Sequence, residues 1–418
     1  MYPHLSSWFF KALKGLLAFA VIPFLALLKL ARPRFAIQVM STNHQFFGHL
    51  ALEPDKYLSA RAANLALQEV EFAGVKHWNN LVGGPMGRSD EQCLTLWNFG
   101  GVDVLPNRQL LKMWMRHLRV APSFVAGTLV RASRIAPNLN VSEYRFSSLL
   151  SVDRYLDKSV SNLSFTPEEV RQAEIEMRDG GMNPEIPWVC LIVRSESTSD
   201  TDSQLRSRSI DDFVMASESL AEKNLQVIRM GATSSPKLKV EHKNVIDYAN
   251  LGCRSELLDL YLLAHCTFAV STLSGPDAVC MAFRRPVLYV DLANYALCFA
   301  GTQLTTWVPA VISHISTGER LSLREAFELG VGWFWKDGQY RDAGLTVQQS
   351  SPAEIAEYAA EMVEKYVGNN ERSVSPLQRE FQRTMAEAMG PLGAQWHGEI
   401  RSQMSGGFLQ RNAEWFLA

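Results

Sequence analysis

The sequence has no C-x-x-C pair, no repeat at a fixed period and no surplus of charge of either sign. Its 41 lysines and arginines against 43 aspartates and glutamates leave a net charge of −2. Binding nucleic acid through its phosphates needs a dominant basic face, so no nucleic-acid partner is expected. The six cysteines, Cys93, Cys190, Cys253, Cys266, Cys280 and Cys298, are scattered, and Cys190, Cys266 and Cys280 stand in or beside apolar runs. That pattern disfavours a zinc site or a disulfide framework. It is expected of buried, reduced thiols in a reducing, cytosolic compartment. Also missing are the G-x-x-x-x-G-K-[ST] loop of an ATPase and the G-x-S-x-G elbow of a hydrolase.

What is present is a globular composition, 47% hydrophobic and 20% charged, over 418 residues. That length exceeds one ordinary core, and two domains are expected. The amino terminus stands apart. Gly15 to Leu28 carries no charge, with Lys11 and Lys14 before it and Lys29, Arg32 and Arg34 after. As a helix this run rises about 21 Å, short of a hydrocarbon core of roughly 30 Å. Pro23 would bend it, and no small-x-small cleavage pattern follows. Residues 8–34 are expected to anchor on a membrane surface. A full span with snorkelling Lys14 and Lys29 ranks second, and a buried core helix third.

Phe35–Met40 reads as a first strand and Ala60–Ala73 as a helix within an α/β domain over residues 35–165. Thr166, Pro167 and two glutamates open a linker helix, 166–186, that ends at Gly180-Gly181. From Pro187 the pattern becomes regular. Strands at Trp188–Val193, Leu225–Met230, Asn244–Ala249, Thr267–Thr272 and Val287–Val290 alternate with helices, as in a mostly parallel, doubly wound sheet over 187–350. A helical tail, 351–418, begins with a helix capped by Ser351.

Ligands of such a sheet bind beyond the carboxyl ends of its strands. Those ends hold Arg194, then Arg229 and Gly231, then Thr272, Ser274 and Gly275. In STLSGPDAV a glycine at a helix start lets a diphosphate approach free amides, although Ser274 reads equally well as a plain helix cap. Each arginine alone reads first as the salt-bridge partner of an acid such as Glu196 or Asp259; both together, with the Ser-Gly turn on the same sheet edge, favour a phosphate site. Asp259 is a helix acid or a sugar contact, and His265 a helix-terminal cation. His49 and Glu53, in FFGHLALEP, are the best acid–base candidates, with a structural histidine as the plainer reading.

The stretches VIRMG (Val227–Gly231), NVIDYA (Asn244–Ala249), ELLDLYLLAHCTFAVSTLSG (Glu256–Gly275) and GHLALEP (Gly48–Pro54) resemble a group of bacterial glycosyltransferases of surface polysaccharide biosynthesis. The arginine-ended strand and the Ser-Gly turn are more distantly similar to fucosyltransferase-type donor domains. The resemblance implies a GT-B-like α/β fold of two Rossmann-like domains, an acceptor-side domain first and a nucleotide-sugar-binding domain second. It adds Arg206 to the donor site, with one departure: relatives carry Arg-Asn where Arg206-Ser207 stand here.

The expectation is a membrane-associated transferase moving a hexosyl or deoxyhexosyl group from a nucleotide sugar to a lipid-linked glycan. It would work at the cytoplasmic face of a bacterial inner membrane, peripheral or monotopic. No cofactor or metal is expected, because arginines and helix amides can neutralise the leaving diphosphate. A non-catalytic scaffold subunit on the same fold is the alternative. A sugar epimerase is a weaker third.

Overall fold

The computed structural model describes residues 4–32, 34–42, 46–62, 70–72, 75–77, 93–99, 105–145, 155–157, 159–194, 204–231, 236–368 and 374–418. The chain divides into two compact units, Met1–Leu150 and Ser151–Ala418.

The first unit runs α1 (His4–Ala31), β1 (Ala36–Ser41), α2 (Phe47–Ala62), β2 (Val70–Phe72), β3 (Val75–His77), β4 (Cys93–Asn98), α3 (Arg108–Trp114), α4 (Ser123–Ile135) and β5 (Val141–Arg145). β1 is the centre of a parallel sheet in the order β4-β1-β5. Its side chains alternate between two faces. Ile37 and Val39 join Ala18 and Leu25 of α1 and Ala126, Leu129 and Val130 of α4 in one core. On the other face Met40 pairs in register with Trp97, whose ring meets Tyr57 of α2 edge-on.

Two sequence expectations change here. The helix expected at Ala60–Ala73 instead starts at Phe47, and residues 70–72 are a strand; 63–69 lie outside the described residues. Pro54, inside α2, cannot donate to the Leu50 carbonyl, which would ordinarily break the helix. Trp114 Nε1 of α3 donates to that carbonyl at 2.8 Å, so the helix runs through. The amino-terminal run is neither a free helix nor a fully buried one: α1 packs one side on α4 and leaves the other exposed. Among the described residues, no helix is long and apolar enough to cross a membrane.

The second unit runs α5 (Pro167–Asp179), β6 (Trp188–Ile192), α6 (Val214–Glu222), β7 (Gln226–Met230), β8 (Val245–Ile246), α7 (Glu256–His265), β9 (Phe268–Ser271), α8 (Gly275–Ala282), β10 (Val287–Leu292), β11 (Thr305–Pro309), β12 (Val311–His314), α9 (Leu323–Glu328), α10 (Asp337–Asp342), β13 (Leu345–Gln348), α11 (Pro352–Tyr366), α12 (Pro376–His397), β14 (Gln403–Met404) and α13 (Gly406–Phe416). Seven of these strands form one sheet in the order β8-β7-β6-β9-β10-β11-β14, every neighbouring pair parallel.

β6, β7, β9 and β10 are buried along their whole length, which is why they read as unbroken apolar runs. Helices cover both faces. Cys190 Sγ donates to Leu262 O of α7 on one face, and on the other Phe268 meets Tyr366 of α11. The tail is not wholly helical. β14 adds a strand beside β11, too short at two residues to leave a periodic signal.

Candidate functional site

Counted from β6, the first six strands lie in the order 3-2-1-4-5-6, so the winding reverses between β6 and β9. A reversal opens a crevice beyond the carboxyl ends of those strands. Here the Arg194 amide, just past β6, donates to Thr272 Oγ1, just past β9, at 2.9 Å. The next residue, Leu273, has φ 64°, and Asp291 at the end of β10 has φ 58°. Left-handed backbone at two non-glycine residues on adjacent strand ends costs on the order of 1–3 kcal/mol each and persists only where its surroundings enforce it.

One enforcing element is a buried ionic staple. Arg208 pairs with Asp291 and Asp212 and donates to Ser350 O at 3.0 Å. Asp291 also accepts from the Ser350 amide at 2.8 Å and its hydroxyl at 2.7 Å. Burial pushes the Asp291 carboxyl upward, and Arg208 opposes that shift. The staple fixes the segment holding Leu205 and Arg206 over the sheet edge. The Leu205 amide there reaches Asp337 Oδ1 at 3.3 Å. Sequence reasoning missed Arg208, because the partner that identifies it lies far along the chain.

At that segment is a small, narrow pocket. Arg206, Leu273, Leu292, Asn294, Phe334, Trp335 and Tyr340 are among the residues that line it. Asn294 is the informative residue. Its side-chain oxygen and nitrogen are both buried, and neither has a hydrogen-bond partner among the described residues. A buried amide left unsatisfied is unfavourable by about 1–3 kcal/mol, which a ligand offering one donor and one acceptor would relieve.

The Ser-Gly turn is partly occupied by the protein itself. The Ser274 amide donates to Asp277 Oδ2 at 2.6 Å, and Ser271 Oγ donates to the same oxygen at 2.7 Å. Pro276 has no N–H, and the Asp277 amide goes to Ser274 O. The Ser274 and Asp277 amides at this helix start are therefore engaged within the turn. Burial pushes the Asp277 carboxyl up to about 6, against the hydrogen bonds from Ser271 and Ser274.

The candidate donor residues therefore separate. Arg194, Arg206, Thr272, Ser274 and Gly275 gather around the reversal point. Of the eight candidates Arg206 is the one among the residues lining the pocket, and Arg229, Gly231 and Asp259 lie on other strand ends and helices. Arg229 is buried, donates to Pro236 O and lies 3.3 Å from Asp247. Asp259 pairs with Arg254 at 2.7 Å. Gly231, with φ 148°, precedes residues 232–235, which lie outside the described ones, as does Glu196. His265 is the last residue of α7; its Nδ1 is 3.0 Å from Tyr261 O, and burial lowers its pKa.

In the first unit, His49 and Glu53 come together on α2, Nδ1 to Oε1 at 2.7 Å, with Glu53 fully buried. The ring of Phe46 lies against His49. Among the described residues no group of three His, Cys, Asp or Glu could hold a metal ion. The chain does carry a D-x-D triplet, Asp200-Thr201-Asp202, a spacing that bears on metal binding; it lies outside the described residues.

No protein-family model matches the chain, and no curated protein matches it. Among solved structures it is similar to a glycosyl transferase family 9 protein from Veillonella parvula, at 10% identity. That match covers 79% of this chain and 98% of the other, with a TM-score of 0.47. It is also similar to the ADP-heptose LPS heptosyltransferase II of E. coli, at 11% identity over 61% of this chain and 84% of that one, with a TM-score of 0.38. At these values the likeness assigns no activity to the chain.

Proposed function

We propose that this chain is a glycosyltransferase that binds a nucleotide-sugar donor at the carboxyl edge of its second unit, which we read as Rossmann-like. The observation that carries the reading is the Asn294 amide, buried without partners in a pocket at the winding reversal. An amide side chain presents a donor beside an acceptor, which the edge of a nucleobase complements. Phe334, Trp335 and Tyr340 supply rings for stacking. Arg206 stands at the same pocket, Arg194 adjoins it, and the Gly275 amide faces the α8 start, so diphosphate charge has donors beside the base.

The chemistry follows from those groups. The acceptor oxygen attacks the anomeric carbon as the bond from that carbon to the diphosphate breaks. The diphosphate leaves with its electron pair, stabilised by the arginines and the amide without a metal. The acceptor proton goes to His49. With Nδ1 carrying its proton toward Glu53, Nε2 holds the lone pair that a base needs. A lipid-linked glycan at the cytoplasmic face of a bacterial membrane is the acceptor class we infer, and a hexosyl or deoxyhexosyl group the cargo.

A second reading has its own support. Arg229 is engaged by Asp247 and the Ser274 amide by Asp277, leaving fewer groups for a leaving group than the sequence suggested. A non-catalytic binding subunit would need no more. A thermal-shift screen against UDP, GDP, ADP and CMP sugars, followed by assay of released nucleoside diphosphate, tests both. A shift with one base and release of its diphosphate is expected. A shift without release would favour the binding subunit, and no shift with any of them would sink the site.

A further inference from the structure

Over Gly15–Ala31, where the side chains of α1 are described, the side turned away from the protein is apolar. Leu16, Phe19, Phe24, Leu27 and Leu30 are each between 61% and 79% exposed. Leu17, Ala20, Pro23 and Ala31 are exposed beside them. At 100° per residue these nine positions fall within one arc of roughly 160°, which no polar residue of Gly15–Ala31 enters. The opposite side, Ala18 and Leu25 with Val21, Ile22 and Leu28, packs into the core of the first unit. Lys29, the charged residue among the described side chains of α1, turns back to donate to Asn138 O. A contiguous apolar arc of this size on a water-facing helix marks an interaction surface.

Charge identifies what covers it. Residues 1–52 contain Lys11, Lys14, Lys29, Arg32 and Arg34 and not one Asp or Glu; the first acid is Glu53. The chain as a whole carries slightly more acids than bases, so this excess is local. Arg32 and Arg34, exposed just past the helix, place cations beside the apolar arc. Apolar arc and cationic ends together complement an anionic lipid leaflet.

We propose that α1 docks the protein on an anionic membrane surface, lying in the plane of the leaflet with this arc among the outer acyl segments. A crossing helix is inconsistent with Ala18 and Leu25 packed on α4. Pro23 agrees: it has no N–H for the Phe19 carbonyl, which water can satisfy at the headgroup boundary but not in the hydrocarbon interior. The docking deepens the transferase reading by holding the first unit at the surface where a lipid-linked acceptor lies.

Flotation of the purified full chain with phosphatidylcholine vesicles, containing or lacking phosphatidylglycerol, tests it. The wild type floats with the anionic vesicles. Phe19→Asp with Phe24→Asp lowers the partition coefficient by about tenfold or more per residue. Arg32→Gln with Arg34→Gln weakens binding to anionic vesicles by about tenfold and leaves binding to phosphatidylcholine alone unchanged. The double-aspartate variant keeps the wild-type melting temperature, because the replaced side chains face solvent. Nucleotide binding, measured on the same samples, fails independently if the donor site is wrong. Equal flotation of the double-aspartate variant would overturn the proposal. So would a wild type that ignores every vesicle and is a dimer dissolved by the aspartates, which would make the arc an interface between copies.

Discussion

Arg194 and Thr272 are joined by a 2.9 Å hydrogen bond from the amide of one to the hydroxyl of the other, across the strand pair where the sheet reverses. Thr272 is buried, so its replacement by the isosteric valine leaves the Arg194 amide without that acceptor. Thr272→Val is expected to destabilise the protein by about 1–3 kcal/mol in urea unfolding and to weaken nucleotide binding. Thr272→Ser keeps the hydroxyl and both properties.

Asn294 makes the opposite prediction for stability. Its amide is buried and unsatisfied among the described residues, so Asn294→Leu, of the same branching, removes a polar group that costs the folded chain about 1–3 kcal/mol. The melting temperature rises while affinity for the nucleotide falls by tenfold or more, about 1.4 kcal/mol. Loss of both together would assign Asn294 to packing alone.

The two outcomes for arginine divide the same way. Arg229→Ala breaks a buried ion pair with Asp247 and is expected to destabilise by about 3 kcal/mol. Arg206→Ala lies at the pocket and lowers nucleoside diphosphate affinity in calorimetry, with unfolding little changed. A stable Arg229→Ala protein that binds nucleotide more weakly would return Arg229 to the donor site.

How far the sequence reaches is visible in these residues. β6, β7, β9 and β10 were legible because strands buried on both faces leave apolar runs, and α5 and α7 because Thr166 and Ser255 cap them in fact. α2 was not legible. Pro54 argues against a helix, and the compensating donor is Trp114, which no local window contains. Arg229 reads as a phosphate ligand from its place at a strand end, and only the pairing of β7 with β8 brings Asp247 to it. Asn294 carries no sequence signal. It matters because the loop after β10 shares a pocket with Phe334 and Trp335, and only the fold shows that its amide has no hydrogen-bond partner among the described residues.

Asp277 should impose a pH dependence on stability. Burial raises its folded pKa from 3.8 to about 6, so between those values the folded state binds more proton than the unfolded one. Its contribution is therefore present in full below about pH 4 and is lost as pH rises toward 6. At about 1.4 kcal/mol per unit the change is on the order of 3 kcal/mol. Unfolding free energies of wild type and Asp277→Asn, measured across that range, should diverge with this sign. A constant difference would show that Asp277 titrates normally.

His49 and Glu53 test the chemistry rather than the binding. Glu53 is fully buried, so truncation would leave a hole, whereas Glu53→Gln keeps volume and removes charge. If Glu53 holds the His49 ring with Nδ1 protonated, Glu53→Gln allows the ring to turn or change tautomer, and Nε2 loses its role as base. His49→Ala removes the base outright. Each is expected to lower kcat by 10²–10⁴-fold, the usual yield of a positioned base. Donor affinity stays at the wild-type value, because the donor is assigned to the other unit. Turnover unchanged in both would remove this pair from catalysis and leave the acceptor proton to another group.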